Sequence, residues 1–245
     1  MRFVCLAMLT VALVSAQEIR LTIQADDLGA GHGINVAAIE AYKIGIVRTA
    51  NVLMPAPWVP EAARMLNENP GLEAGVHLTL TSEWSTIKWR PLTSAPSLLD
   101  PNGYFYPAVR GRAGNSVADA KPKIEEIEAE LRAQITLAKK MIPQVTYMTA
   151  HMGFASMSPE VAAVVQKLGR EYGLIFWDRD VPRQNLGQVW ERGDAVEVRI
   201  NKFAAKLEGL TPGTRFMLEH PATDTPEIQA FGGTVAADRD SARRI

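Results

Sequence analysis

The stretch Ile23-Gln24-Ala25-Asp26-Asp27-Leu28-Gly29 ends an extended apolar run in two adjacent carboxylates and a glycine. Ile19, Leu21 and Ile23 alternate with Arg20, Thr22 and Gln24. That is the period of a β-strand with one buried face, and Gly29 offers the chain a place to turn. Two acids at such a strand end stand where α/β barrels deliver catalytic groups. Successive strand residues point to opposite faces, but the pleat relaxes at a terminus, so both acids can serve one site, one toward a metal and the other toward a proton. Taken alone, Asp-Asp-Leu-Gly is equally a turn or a helix cap, positions that Asp favours.

The histidines add weight to the first reading. The chain has four, His32, His77, His151 and His220, and the last three lie at or near the ends of strand-like runs over 73–80, 145–151 and 215–221. One such histidine is more often a satisfied structural residue, whereas three of them with the Asp pair form a constellation.

Working outward, extended and helical segments alternate. Helices are expected over 35–43, 60–67, 121–142, 159–172 and 204–210, and strands over 46–53, 72–80, 145–150, 174–177 and 214–219. The helix over 121–142 carries one apolar stripe of Ile124, Ile127, Leu131, Ile135, Ala138 and Ile142, and its polar face reads as solvent coating. This order implies an α/β fold, a barrel-like (β/α) arrangement of parallel strands, closed or nearly closed. The segment over 84–114 is rich in Pro, Gly and Ser and carries Trp84, Trp89, Tyr104, Phe105 and Tyr106. It is too long for an ordinary connection and reads as a lid on the substrate side. Its aromatics suit stacking on sugar rings or packing the loop down, and the sequence leaves both open. Gly29-Ala30-Gly31-His32-Gly33 lacks the spacing and lysine of a phosphate-binding loop and reads as a place for close backbone approach.

A chain of 245 residues with 47% hydrophobic content is enough for one enzyme-sized domain. With 26 basic and 27 acidic residues the formal net charge is −1, so no overall field attracts nucleic acid or an anionic membrane. Residues 1–16 have a basic start, an apolar middle and small residues before Gln17, the pattern of a signal peptide. The expectation is therefore a secreted or periplasmic protein whose single domain spans 17–245, without stable insertion in the membrane. Cleavage would remove Cys5, the one cysteine, which leaves His and carboxylate as metal ligands.

Four motifs resemble the YdjC-like carbohydrate deacetylases, which include chitooligosaccharide deacetylase. They are Ala25-Asp26-Asp27-Leu28-Gly29 with Gly33-Ile34-Asn35, then Gly75-Val76-His77-Leu78-Thr79-Leu80-Thr81, then Thr149-Ala150-His151, and finally Glu219-His220-Pro221. The resemblance implies a divalent metal ion, Mg or Zn, held by Asp27, His77 and His151, with Asp26 as general base and His220 as acid. It implies an acetylated amino sugar or oligosaccharide as substrate, and it allows for a homodimer. Two imidazoles and a carboxylate from separate strand ends are a donor set that leaves positions open for water and substrate.

Some residues depart from the family pattern. His151 is followed by Met152, Gly153 and Phe154 rather than further histidines, so substrate contacts there are expected to differ. Leu28 stands where phenylalanine is usual, an apolar swap. The sequence stops at Ile245, earlier than such proteins generally end, which reads as a shortened or missing last helix. Two other functions compete: a secreted carbohydrate-binding protein that has lost turnover, and a metal-dependent hydrolase of another acyl or glycosidic bond. Retention of Asp26, Asp27 and His220 speaks against the first, because sugar binding alone needs no base and acid around a metal.

Overall fold

A computed structural model describes residues 18–244 except 112, 188, 192 and 234. The segment expected to be a signal peptide, residues 1–16 with Cys5, lies outside the described residues. Strand β1 (Ile19–Leu28) leads through Gly29 into α1 (His32–Lys43), β2 (Val47–Val52), α2 (Val59–Asn67) and β3 (Glu73–Leu78). After the long excursion come α3 (Val117–Ala120), α4 (Ile124–Met141), β4 (Val145–Ala150), α5 (Pro159–Tyr172), β5 (Ile175–Phe176) and α6 (Trp177–Asp180). The chain continues through β6 (Gln184–Asn185), α7 (Val196–Glu208), β7 (Gly213–Glu219), α8 (Pro226–Gln229) and α9 (Val235–Arg243).

The strands form one sheet in the order β5-β4-β3-β2-β1-β7-β6, and every pair is parallel. The expected parallel, barrel-like architecture is present as a curled half-barrel, with β5 and β6 as short edges that do not pair with each other. The expectation of one buried face for β1 is corrected. Every residue from Ile23 to Leu28 is buried, because Ile23 and Ala25 join the core while Gln24 and Asp26 line the inside of the curl. That interior is polar and crowded. Asn51 on β2 reaches Thr149 on β4 across β3 (2.9 Å), and Tyr147 donates to the Ala50 carbonyl (3.2 Å). Gly75 makes this crossing geometrically feasible, since a Cβ there would stand 2.3 Å from the Tyr147 ring and 2.5 Å from Asn51 Oδ1. At the gap in the sheet, Arg183 lies over the rings of Phe216 (3.6 Å) and Trp177 (4.8 Å).

Several boundaries differ from the sequence reading for identifiable reasons. α1 begins at His32 rather than 35 because Glu227 of α8 accepts from the His32 and Gly33 amides (2.8 and 3.3 Å), supplying the partners that a helix start lacks. β3 stops at Leu78, not 80, since Thr81 N turns onto Thr79 Oγ1 and Gln134 takes up both backbone groups of Thr79. Trp177 leaves the expected strand to open α6 and stacks on Tyr147 at 3.9 Å. α7 starts at Val196, two turns before the expected 204, where the exposed Val198 and Ile200 blur the apolar period. α5 matches its expected bounds, fixed by Ser158 accepting from Val161 N and by Gly173 in the left-handed region.

The polar face of α4 is not all solvent coating, for Glu130 and Gln134 are fully buried. Glu130 accepts from the amides of Leu92 and Thr93 and thereby fastens the excursion to the helix. The excursion itself is well packed. Ser82 N bonds Tyr106 O, Phe105 N bonds Trp89 O, and Leu99 bridges Phe105. Trp89 and Phe105 belong to the core, so packing rather than sugar stacking accounts for them. Trp84, also mostly buried, is the aromatic of this segment that lines the cleft beside the strand ends.

Candidate active site

The carboxyl ends of β1, β3, β4 and β7 bring the residues singled out from sequence to one place. Asp26 and Asp27 lie in a register irregularity between β1 and β2, and Asp27 takes a left-handed φ of 69°. A bulge re-aims side chains, and a non-glycine residue in this region costs on the order of 1–3 kcal/mol, held only where its surroundings over-determine it. This local break in the pleat turns both acids toward the same histidine: His77 Nε2 is 3.8 Å from Asp26 Oδ2 and 3.7 Å from Asp27 Oδ1.

His77 Nε2, His151 Nδ1 and Asp27 Oδ1 make a triangle. Its sides are 3.1 Å between the imidazole nitrogens, 3.5 Å from His151 to Asp27 and 3.7 Å from His77 to Asp27. Two donors bonded at about 2.1 Å to one ion stand roughly 3.0–3.4 Å apart, so the triangle is close to the size a single divalent cation needs. Its third corner is telling. Asp27 Oδ1 is buried and has no hydrogen-bond partner among the described residues, an expensive state for a carboxylate oxygen unless a cation meets it. The three residues are buried together and fit such an ion.

Neighbouring groups set the orientation and charge of each donor. His77 Nδ1 lies 2.7 Å from Thr149 Oγ1, which leaves Nε2 for the triangle, and His151 Nε2 lies 3.1 Å from Glu83 Oε2, which leaves Nδ1. These are the outer partners that fix the tautomer of a ligating histidine. Arg239 of α9 donates from Nη2 to Asp27 Oδ2 at 2.7 Å. Burial opposes ionisation of Asp27, but Arg239 and the surrounding imidazoles prevail and hold its carboxyl well below the usual range. Burial, then the neighbouring His151, lower His77 to about 3. At neutral pH both groups are therefore in their ligating forms.

Asp26 is held differently. Its Oδ1 accepts from Gln24 Nε2 and Asn51 Nδ2, both at 2.7 Å, so the remaining oxygen, Oδ2, is the one facing the triangle. Burial raises its pKa to about 6. His220 stands on the open side, 3.9 Å from Asp27 Oδ2 and with 41% of its side chain exposed. The fourth histidine, His32, pairs with Glu61 at 2.9 Å and packs near Trp58. A cleft lined by Glu83, Trp84, Glu219, His220 and Arg239 opens beside the triangle. Within it, burial raises Glu219 to about 7.

All five predicted site residues meet here. Gln24, Asn51, Glu83, Thr149 and Arg239 were not assigned roles from sequence. Gln24 carries a signal, standing two residues before Asp26 on the same strand face, whereas Arg239 lies 212 positions from Asp27 and nothing in its neighbourhood marks it.

Fold and site together define an α/β half-barrel protein whose strand ends carry a donor set suited to a divalent cation. The chain matches the YdjC-like protein family over residues 20–244 and belongs to it. It is 32% identical over 233 residues to a carbohydrate deacetylase of Thermus thermophilus, covering 86% of this chain and 80% of the relative. It is 31% identical over 240 residues to a carbohydrate deacetylase of Thermoanaerobacter pseudethanolicus, covering 92% and 89%. Among solved structures, a protein of Enterococcus faecalis V583 described in connection with cellobiose-phosphate cleavage shares the fold with a TM-score of 0.74. That match is at 24% identity and covers 92% of this chain and 89% of the other.

Proposed function

We propose that the protein is a carbohydrate deacetylase that hydrolyses N-acetyl groups of amino sugars or chitooligosaccharides, with a divalent cation, Mg or Zn, held by Asp27, His77 and His151. The observation that carries this reading is the buried, unpartnered Asp27 Oδ1 closing a triangle with two imidazole nitrogens beside a second, separately held carboxylate. The deacetylase names of relatives that align along most of the chain support the chemistry.

When bound, a divalent cation there supplies an activated water and polarises the amide carbonyl. Asp26 acts as the base. Two side-chain amides pin its Oδ1, so Oδ2 is presented toward the triangle to take the proton of the attacking water. A pKa near 6 leaves it ionised yet basic at neutral pH. His220, on the open side, donates to the departing amine, a step amide cleavage requires because an amide anion is a very poor leaving group. Trp84 walls the cleft in which the sugar lies. The same reading includes export to the periplasm or medium directed by residues 1–16, checked by mass spectrometry of the N-terminus of protein from its native cell. Among the described residues no helix is long and apolar enough to cross a membrane.

The test is to incubate the protein with N-acetylated chitooligosaccharides and added divalent metals, measuring acetate and new reducing ends separately. Acetate released without reducing ends, lost on chelation and restored by metal, is expected. Reducing ends without acetate would make the protein a glycosidase, and binding with neither product would make it a lectin-like protein.

A further inference from the structure

At the carboxyl ends of β1 and β2, outside the cleft, two rings stand exposed together. Trp58, which follows β2 and leads into α2, leaves 40% of its surface uncovered, whereas Trp84 and Trp89 are buried. Its ring centre lies 5.5 Å from that of His32, whose side chain is 46% exposed. Neither ring is loose. The buried Asn35 accepts from Gly29 N at 2.8 Å through Oδ1, and its Nδ2 donates to Trp58 O at 3.2 Å and to Glu61 Oε2 at 2.9 Å. The other oxygen of Glu61 lies 2.9 Å from His32 Nδ1. An ionised carboxylate only accepts, so a proton sits on Nδ1 and Nε2 is left over for a partner from outside. Both rings are near the metal triangle. Trp58 N donates to Gly29 O at 2.7 Å, and Gly29 is two residues beyond Asp27, which puts the Trp58 and Asp27 Cα atoms within roughly 13 Å of each other. From the cleft, Trp84 packs on Phe231 with ring centres 4.5 Å apart, and Phe231 comes within 3.4 Å of where a Cβ on Gly31 would stand, next to His32. A single exposed apolar residue needs no explanation. A tryptophan face fixed through a buried amide, beside an imidazole oriented by a carboxylate, is a preformed platform: flat and apolar, with a hydrogen-bonding atom at its edge.

We propose that Trp58 and His32 form an outer sugar subsite, where one unit of an oligosaccharide lays its C–H face on the indole and a hydroxyl meets His32 Nε2, while the unit to be deacetylated occupies the cleft at Trp84. The assignment rests on the deacetylase reading above, and it deepens that reading by naming the length of the substrate: a chain of several sugar units rather than one or two. A sugar hydroxyl both donates and accepts, so it can bond Nε2 whether or not that nitrogen carries a proton. The platform is remote from the scissile amide and touches the same atoms before and during cleavage. Its contacts therefore hold substrate and transition state alike and show themselves in KM and Kd rather than kcat.

Four proteins test this: the wild type, Trp58→Ala, Trp58→Phe, which keeps a flat ring, and His32→Ala, with thermal unfolding as a check of fold. Each is loaded with Zn(II) and assayed on fully N-acetylated chitobiose and chitopentaose. Binding of the same two sugars is measured by calorimetry in an Asp26→Asn background, where the ligand is not consumed. The expected result is a wild-type KM and Kd roughly 10-fold lower for the pentasaccharide than for the disaccharide. Trp58→Ala should bring the two sugars together, Trp58→Phe should keep most of the gap, and His32→Ala should narrow it roughly 2- to 5-fold. A pentasaccharide preference undiminished in folded Trp58→Ala, or in His32→Ala should the former not fold, overturns the proposal, as does a wild type that binds both sugars equally. Acetate release whose length dependence ignores Trp58 would leave the deacetylase reading standing and remove the subsite. A Trp58-dependent preference in binding without any acetate release would sink the deacetylase reading and keep the subsite.

Discussion

Replacing Glu83 by Ala removes the carboxylate that faces His151 Nε2 at 3.1 Å and is expected to weaken metal binding without touching a ligand. His151 can offer Nδ1 to an ion only in the tautomer that carries its proton on Nε2, and Glu83 Oε2 is the acceptor for that proton. Losing the outer partner of a ligating histidine typically costs 10–100-fold in metal affinity. Here the His151 side chain is 5% exposed and that of Glu83 19%, so water can partly replace the carboxylate. The loss should therefore lie toward the lower end, roughly 10- to 30-fold, or about 1.4–2 kcal/mol. Glu83→Gln keeps an acceptor without the charge and should fall between the two. Burial opposes protonation of His151, yet Glu83 holds its pKa above the usual value. The wild type accordingly loses metal to protons sooner as pH falls, and the gap between wild type and Glu83→Ala should narrow in acid. Competition titration of apo protein with Zn(II) against a chromophoric chelator, at neutral and acidic pH, measures both effects. Equal affinities of wild type and Glu83→Ala at neutral pH would refute the reasoning.

Asp26→Asn keeps size but loses basicity, and it is expected to cut turnover by about 10²-fold or more while leaving zinc affinity nearly intact; steady-state rates and the same titration separate the two. Since burial raises the Asp26 carboxyl to about 6 and a bound cation can only lower it, the acidic limb of kcat should lie at or below pH 6. Turnover should rise with pH through that limb, and the limb should vanish in Asp26→Asn. His220→Ala should slow an acetamide far more than an activated acetyl ester, whose leaving group needs little protonation; equal slowing of both would reduce His220 to an orienting or structural role.

Element type was legible wherever a local pattern decided the outcome. α5 shows this best, its Ser158-Pro159 start and Gly173 stop all lying in the sequence. The metal-side residues were legible because chemistry needs rare residue types at strand ends, and four histidines leave few combinations. What escaped is long-range. The early start of α1 depends on Glu227, nearly two hundred residues away, and the buried carboxamide and carboxylate of α4 depend on a loop whose path no periodicity records. Gln24 looked like the wet side of a strand because alternation reports two faces but not that the sheet curls until both are buried. The left-handed turn at Asp27, which brings both acids to one site, was not legible either: aspartate enters that region more readily than most residues, but its presence alone does not mark which of two adjacent aspartates does so.

The most direct test of the central claim, that Asp27, His77 and His151 together hold a catalytic cation, is metal content measured alongside acetate release in His77→Ala and His151→Ala. Each variant should lose bound metal and deacetylation together, whereas Asp26→Asn should retain metal and lose only the chemistry. Full metal occupancy in both histidine variants would contradict the account.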